Sequence, residues 1–359
     1  MNSDQLTTAS PRPHPRDVIV IGGGAAGLSA AITLARARRD VLVIDAGEPR
    51  NAPAHGVHGF LTRDGIAPLE LTRLGRAEVE SYGGEILSGV ATAASPLPSG
   101  GPARFAVTVT AADGAVEELL TRRLIVATGL TDELPPIPGI AERWGRDVVH
   151  CPYCHGWEIR DRAIGVLVLS SLAMHQALLF RQWSSDITLF LHEGPALTDE
   201  EREQLAARDI AVVTGAVAGL RIEEDRLTGV TLASGRTVPV DALAIGVPVR
   251  SNSEVLAGLG IEAQPHPAGF GTTVPNDPST GATTVSGVWV AGNVGEMKMQ
   301  VITAAASGVV AGAAANLDLI LEETATAVSS RRRPFDAQAE AENAATLFHD
   351  RRHGLEGVR

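Results

Sequence analysis

Cysteine is almost absent: in 359 residues there are two, Cys151 and Cys154, with two residues between them in "VVHCPYCHGWEIRD" (Val148 to Asp161). So few exclude a disulfide scaffold and make a cytoplasmic location the expectation, where a CxxC is more often catalytic or metal-binding than structural. Aromatic residues are also scarce, at 4%, whereas there are 38 glycines. That balance favours an α/β protein with tight strand-to-helix turns over a sandwich or barrel. Basic residues are outnumbered, with 30 Lys and Arg against 42 Asp and Glu and a net charge of −12. Nothing in that charge steers the chain to nucleic acid or an anionic membrane. No apolar run is expected to reach the roughly 18 residues of a membrane span. The leader "MNSDQLTTASPRPHPR" has no apolar core and reads as a disordered arm, residues 1–16, rather than a signal peptide. What remains is long enough for two domains, with 44% hydrophobic and 20% charged residues, an ordinary globular balance.

The first informative segment is "DVIVIGGGAAGLSAAITLARARRDVLVIDAG". Val18 to Ile21 predict a short buried strand of the parallel kind. Gly22-Gly23-Gly24-Ala25-Ala26-Gly27 then matches G-x-G-x-x-G, followed by a helix from about Ala25 to Arg38 and a second strand, Val41 to Ile44, closing on Asp45. Strand, turn, helix, strand and acid form a dinucleotide fingerprint in its required context. Gly22 permits the tight turn, Gly24 lets a pyrophosphate approach the backbone, Gly27 lets helix and strand pack closely, and Asp45 is placed for a ribose.

Two later segments choose the dinucleotide. "RRLIVATGL" is a strand closing on Ala127-Thr128-Gly129, and "GVWVAGNVGEMKMQVITAAASGVVAGAAANLDLI" is a strand, a Gly292-Asn293 turn and a long small-residue helix. They resemble the ATG and second flavin-contacting motifs of the two-dinucleotide-domain flavoproteins. The resemblance implies FAD, contacted by Gly22, Gly24, Ala26, Gly27, Asp45, Ala127, Thr128, Gly129, Gly292, Asn293, Gln300 and Val301. Many relatives carry Asp where Asn293 stands; an amide can still bond ribityl hydroxyls. The expected organisation is an FAD-binding domain of residues 17–130 and 251–321, interrupted by an inserted unit of residues 131–250. Pro-rich "TDELPPIPGI" and "GVPVRSNSE" serve as the two linkers. Residues 322–359 read as a linker and then a helix from about Ala337 to Phe348, a surface helix or dimer contact.

The inserted unit repeats the framework with strand Ala163 to Leu169, helix Ala173 to Gln182 and strand Ile187 to Leu191. Its turn does not repeat the glycines: Val168 and Ser170 stand where G-x-G-x-x-A has its first two. Side chains there occupy the phosphate's approach, and Val is poorly suited to positive φ. Beyond the second strand, where NADPH users carry basic residues, the chain reads Leu191-His192-Glu193. Loss of nicotinamide binding is the expectation, with NADH on Glu193 and weak NADPH as alternatives.

Cys151 and Cys154 have three readings: a metal half-site, a redox disulfide, or packing. A zinc site lacks a second CxxC, and His150 and His155 abut the cysteines too closely to close one tetrahedron. A CxxC just after the hinge resembles the active disulfide of low-molecular-weight thioredoxin reductases, whose C-x-x-C-D-G is here Cys151-Pro152-Tyr153-Cys154-His155-Gly156. That resemblance covers Asp17 to Leu321. It implies an α/β fold of two Rossmann-like domains, the FAD domain discontinuous with an NAD(P)-type domain inserted, and a homodimer. The replacement of the acid by His155 and the eroded nicotinamide motifs resemble the FAD-dependent dithiol oxidases of gliotoxin, holomycin and romidepsin type. These close a small-molecule dithiol into a disulfide and give the electrons to oxygen. The resemblance implies that Cys154 faces the flavin and Cys151 exchanges with substrate. Chemically, a histidine can take a thiol's proton where free Cys, near pKa ~8.5, is mostly protonated, so His155 is the candidate base. Tyr153 and Trp157 are candidate pocket walls. The alternatives are an NAD(P)H-dependent disulfide reductase and an idle flavoprotein or zinc-binding interaction module.

Overall fold

The computed structural model describes residues 14–170, 172–267, 269–332 and 337–348, so most of the expected arm and the end of the tail lie outside the described residues. β1 (Arg16–Ile21) is flanked on both sides: Val18–Ile21 pair in parallel with Val41–Ile44 of β2 (Val41–Asp45) and with Arg123–Val126 of β5 (Val116–Val126). A strand with neighbours on both edges and cover on both faces has no polar face to show, hence the unbroken apolar run. Helix α1 (Ala25–Arg36) joins β1 to β2, and α2 (Pro68–Ser81), with Pro68 at its first position, leads to β3 (Glu85–Pro96). β3 continues the parallel sheet beside β2, then turns antiparallel through β4 (Phe105–Ala111) into β5.

A short strand β6 (Leu130–Asp132) carries the chain out of this half. After α3 (Ile140–Arg143), β7 (Val148–Val149) and α4 (Pro152–His155), a second unit is built. It runs β8 (Ile164–Leu167), α5 (Leu172–Phe180), β9 (Ile187–Phe190), α6 (Asp199–Ala207) and β10 (Ala211–Val213). A hairpin sheet of β11 (Val217–Glu223), β12 (Arg226–Leu232) and β13 (Thr237–Val238) precedes β14 (Ala242–Ile245). Its sheet, in the order β10-β9-β8-β14-β7, is parallel throughout. The expected strand Ala163–Leu169 is shorter at both ends, because Val168 and Leu169 already belong to the turn.

The return strand β15 (Val249–Ser251) lies antiparallel against β6, Leu130 opposite Ser251, so the two crossings between the units are hydrogen-bonded to each other. The small pair β16 (Gln264–Pro265) and β17 (Thr272–Thr273) follows, and β18 (Val288–Val290) then joins the first sheet beside β5. Each large sheet separates two apolar clusters, one per face.

Helix α7 (Val301–Arg332) corrects two expectations. The helix does not give way to a linker after Leu321. Glu322 pairs with Arg122 and Arg123, Glu323 with Arg39 and Arg122, and Asp318 with the buried Arg123, clamping that stretch as helix onto β5 and the turn after α1. It is also long and apolar enough, by length and composition, to cross a membrane, with mean hydropathy 1.6 over its most apolar window. In this fold it crosses α1 closely: a Cβ on Gly308 would lie 1.9 Å from the Ala26 carbonyl oxygen. Helix α8 (Ala337–Phe348) falls where the sequence placed it.

Candidate functional site

The turn after β1 is a cradle of backbone. Gly22 has φ +105°, and a Cβ there would sit 2.4 Å from the Ala127 carbonyl oxygen; on Gly27 it would sit 1.8 Å from that of Gly22. Gly24 faces open space, with nothing within 4 Å of where its Cβ would be. The closely packed glycines seat the turn, and the open one is the approach a pyrophosphate needs. The end of β18 closes over the same place: Gly292, at φ +73°, abuts the Ala26 methyl, and its N–H donates to Ser307 Oγ at 2.8 Å. Thr128 is tied across the chain crossing, its hydroxyl donating to the Asn252 carbonyl at 2.5 Å while Asn252 Nδ2 returns a bond to the Thr128 carbonyl at 3.1 Å. Gly129, beside it, takes φ +70°.

Two predicted contacts are more committed than the sequence suggests. Asp45 accepts from the Gly23 N–H at 2.9 Å and pairs with Arg76, so a ribose would share a carboxylate that still has lone-pair capacity. The Asn293 amide nitrogen donates to the carbonyls of Glu296, Met297 and Met299, fixing the loop before α7; its oxygen is the atom suited to a ribityl hydroxyl. Gln300 and Val301 stand at the start of α7, where the Gln300 carbonyl accepts from Ala304 N–H at 2.8 Å.

The second unit has the same plan with the cradle filled. Gly22 N–H donates to Ile44 O at 2.8 Å, and Val168 N–H makes the matching bond to Phe190 O at 2.9 Å, which makes the two residues equivalent. Val168 avoids the left-handed region, is buried, and lies so close to Gly194 that a Cβ there would be 2.5 Å from Val168 Cγ1. His192 Nδ1 accepts the Val217 N–H at 2.9 Å, so that ring is spent on the fold. Glu193 is exposed.

Cys151 and Cys154 form a disulfide across α4, with Cα atoms 5.2 Å apart. Pro152 starts the helical turn, a position where its missing N–H is harmless, and the Cys151 carbonyl accepts from Cys154 and His155 N–H. Gly156 lets the turn lie on Trp183: a Cβ there would be 2.7 Å from the indole. His150 donates through Nδ1 to Ile245 O at 3.1 Å, and Gln176 Nε2 holds the His150 carbonyl at 2.9 Å. Burial lowers the pKa of both His150 and His155; in His155 Glu158 opposes that shift, while His58 and His150 add to it. A neutral imidazole beside the disulfide can accept a proton.

Tyr153 and Trp157, the candidate pocket walls, are each 64% exposed, Tyr153 edge-on to Trp183 and Trp157 beneath the Arg160 guanidinium at 4.1 Å. Sequence reasoning missed Glu158, whose i+3 spacing from His155 was a usable signal. It also missed Asn252 and His58, which reach the site from remote segments and carried none.

Comparison with known proteins agrees with this geometry. The family model for pyridine nucleotide-disulphide oxidoreductases matches residues 16–308. A protein named thioredoxin reductase tcpT from Claviceps purpurea is 32% identical over 85% of this chain and 95% of its own. Thioredoxin reductase sirT from Leptosphaeria maculans is 30% identical over 86% and 95%. Among solved structures, HlmI is 43% identical with TM-score 0.81, covering 90% of this chain and 98% of its own. An oxidoreductase from Agrobacterium tumefaciens is 37% identical with TM-score 0.77, covering 86% and 99%. The group that the first cradle holds is FAD.

Proposed function

We propose that this chain, which belongs to the pyridine nucleotide-disulphide oxidoreductase family and is a thioredoxin reductase-like flavoprotein acting on disulfides, is a dithiol oxidase. Its substrate would be a small-molecule dithiol, oxidised to an intramolecular disulfide, with oxygen as the final acceptor and hydrogen peroxide as the second product. One observation carries the reading: the second unit keeps its strands and helix but has Val168 buried in the turn where a nucleotide's phosphates would need bare backbone. Electrons that do not enter from a nicotinamide can enter from a dithiol through the intact Cys151–Cys154 pair.

The chain's own residues support that direction. A substrate thiolate attacks one sulfur of the pair, the Cys151–Cys154 bond breaks, and a mixed disulfide forms. The second substrate thiolate attacks that mixed disulfide, forming the substrate's S–S bond and releasing the protein dithiol. His155, held neutral by burial, takes a thiol proton at physiological pH. By resemblance Cys151 is the exchanging sulfur and Cys154 the one passing electrons onward. FAD, when bound, supplies a two-electron acceptor that oxygen can restore. The small loop at Gly156 keeps the pair on a short rigid turn, and the exposed faces of Tyr153 and Trp157 leave it open to a small substrate.

Anaerobic mixing followed by flavin absorbance tests this. A small dithiol should bleach the flavin within seconds and air should restore it with hydrogen peroxide; NADPH and NADH should not bleach it. Cys151→Ser should abolish bleaching, and Cys154→Ser should accumulate a mixed disulfide. Rapid bleaching by NADPH would replace the oxidase by the reductase alternative.

A further inference from the structure

We propose that His58 is a positioning residue for the redox disulfide: from the flavin half it holds Glu158 of the inserted unit and thereby keeps His155 a neutral base. The inference rests on the redox reading of Cys151–Cys154. The loop that carries His58 is closed at its base, Val57 N–H donating to Ile66 O and Gly65 N–H to Val57 O, each at 2.8 Å. Its tip lies over the start of α7: Gly59, at φ +72°, is 3.9 Å by its built Cβ from Gln300 Oε1, and its N–H donates to Asp64 Oδ1 at 2.8 Å. The loop is thus fixed on the FAD-binding half, and its one imidazole points outward to the other half.

His58 stands between two carboxylates. Nδ1 is 3.5 Å from Asp64 Oδ2 on its own loop, and Nε2 is 3.5 Å from Glu158 Oε1 across the boundary. Only a ring protonated on both nitrogens donates to both. Asp64 is held below the usual carboxylate range, first by the Gly59 N–H and then by His58. Glu158 belongs to the turn after α4, its N–H donating to the His155 carbonyl at 3.2 Å, so the acid His58 holds is the one beside the candidate base. The groups facing His58 are Asp64 from its loop and Glu158 and His155 from the inserted unit. Behind His155 stands His150, near Arg50 and Asp132. A second contact seals the same boundary: Gly145 takes φ +80°, and a Cβ there would be 2.8 Å from Pro53.

The consequence is a competition for one carboxylate. A His58 ring that engages Glu158 across the boundary leaves that carboxylate less free to support a proton on His155. Without that partner, Glu158 serves His155 alone, the imidazolium is favoured, and the base is blocked at lower pH.

The test follows the His155 ring by NMR titration of histidine-labelled holoprotein, beside dithiol-driven flavin reduction as a function of pH. His58→Gln should move the His155 titration and the acid limb of the rate upward, leaving the rate roughly threefold lower at pH 6 and equal to the parent at pH 8.5. Glu158→Gln should move both downward, and His58→Lys, which keeps a charge, should leave them near the parent. Opposite shifts from the two neutral variants are what a purely structural role would not give. An unmoved titration in His58→Gln, or shifts of one sign in both variants, would overturn the proposal; should His58→Gln not fold, an upward or absent shift in Glu158→Gln would do so. If the parent is not bleached by any dithiol, the oxidase reading fails while the titration still decides the role of His58.

Discussion

The unit opened by β1 and the unit opened by β8 share one plan, and the turn after the first strand separates them. In one, Gly22 and Gly27 let strand and helix close to contact while Gly24 leaves its space empty; in the other, Val168 turns its side chain into the interior. The strands around both turns are equally buried and the first backbone bond is the same, Gly22 to Ile44 and Val168 to Phe190. The stability of a parallel α/β unit lies in its sheet and its two apolar faces, so the turn can lose its glycines without loss of the fold. The second unit also carries the disulfide. The ends of β7 and β14 and the flank of α5 hold the disulfide turn, through His150 to Ile245 and Gln176 to His150.

Exchanging the two turns is the strongest way to break this comparison. Gly22→Val puts a β-branched residue at φ +105° with its Cβ 2.4 Å from a backbone oxygen, so the purified protein should be colourless and fail to take up FAD. The reciprocal Val168→Gly should keep full flavin and lose about 1–3 kcal/mol of stability, from a buried side chain removed and a glycine added. Absorbance at the flavin band and chemical denaturation read these effects. A yellow Gly22→Val protein would show that the glycines are not what distinguishes the units.

These contrasts were legible where they are local. The strands β1 and β2 are apolar runs, one followed by a glycine and the other closed by an acid, and the cradle and the cysteine pair are contiguous in sequence. What was not legible is held by partners far along the chain. Glu322 and Glu323 look like ordinary surface charges ending a helix until Arg39, Arg122 and Arg123 meet them, and the helix then runs to Arg332. His58 gives no sign of the inserted unit, because only the fold brings its loop to Glu158. The exposure of Tyr153 and Trp157 was hidden for a related reason: a turn as short as α4 does not reveal which of its faces is covered.

An intermediate effect concerns the disulfide turn that the second unit carries. If His155 removes the thiol proton, His155→Ala should slow flavin reduction by dithiol by roughly 10²–10⁴-fold while FAD content stays at that of the parent. The loss should shrink as pH rises towards the thiol's own pKa, where ionisation no longer needs a base. Stopped-flow traces between pH 6 and 9 measure it. A deficit of the same size at every pH would mean that the ring shapes the turn without handling the proton.

The smallest expected effect is on acid stability, and it also separates the halves. His150 and His155, in the inserted unit, both have pKa values lowered by burial, so the folded state resists protonation that the unfolded chain accepts. With the folded value below the unfolded one, their contribution is complete above the ordinary imidazole range near ~6.5 and is lost as pH falls below it. In the flavin half the lowered groups are carboxylates, Glu85 held by Arg16, and Glu322 and Glu323 held by arginines against their own burial. Their contribution is complete above the ordinary carboxylate range near ~4.3 and fails only below that. Acidification from pH 7.5 to 5.5 should therefore lower amide-exchange protection factors first around β7, α4 and β14, with those of the β1–β2–β5 strands unchanged. His150→Gln should flatten that response, since a neutral amide has no proton to gain. Equal loss of protection in both halves over this interval would place the acid-sensitive groups elsewhere and remove the buried histidines as its cause.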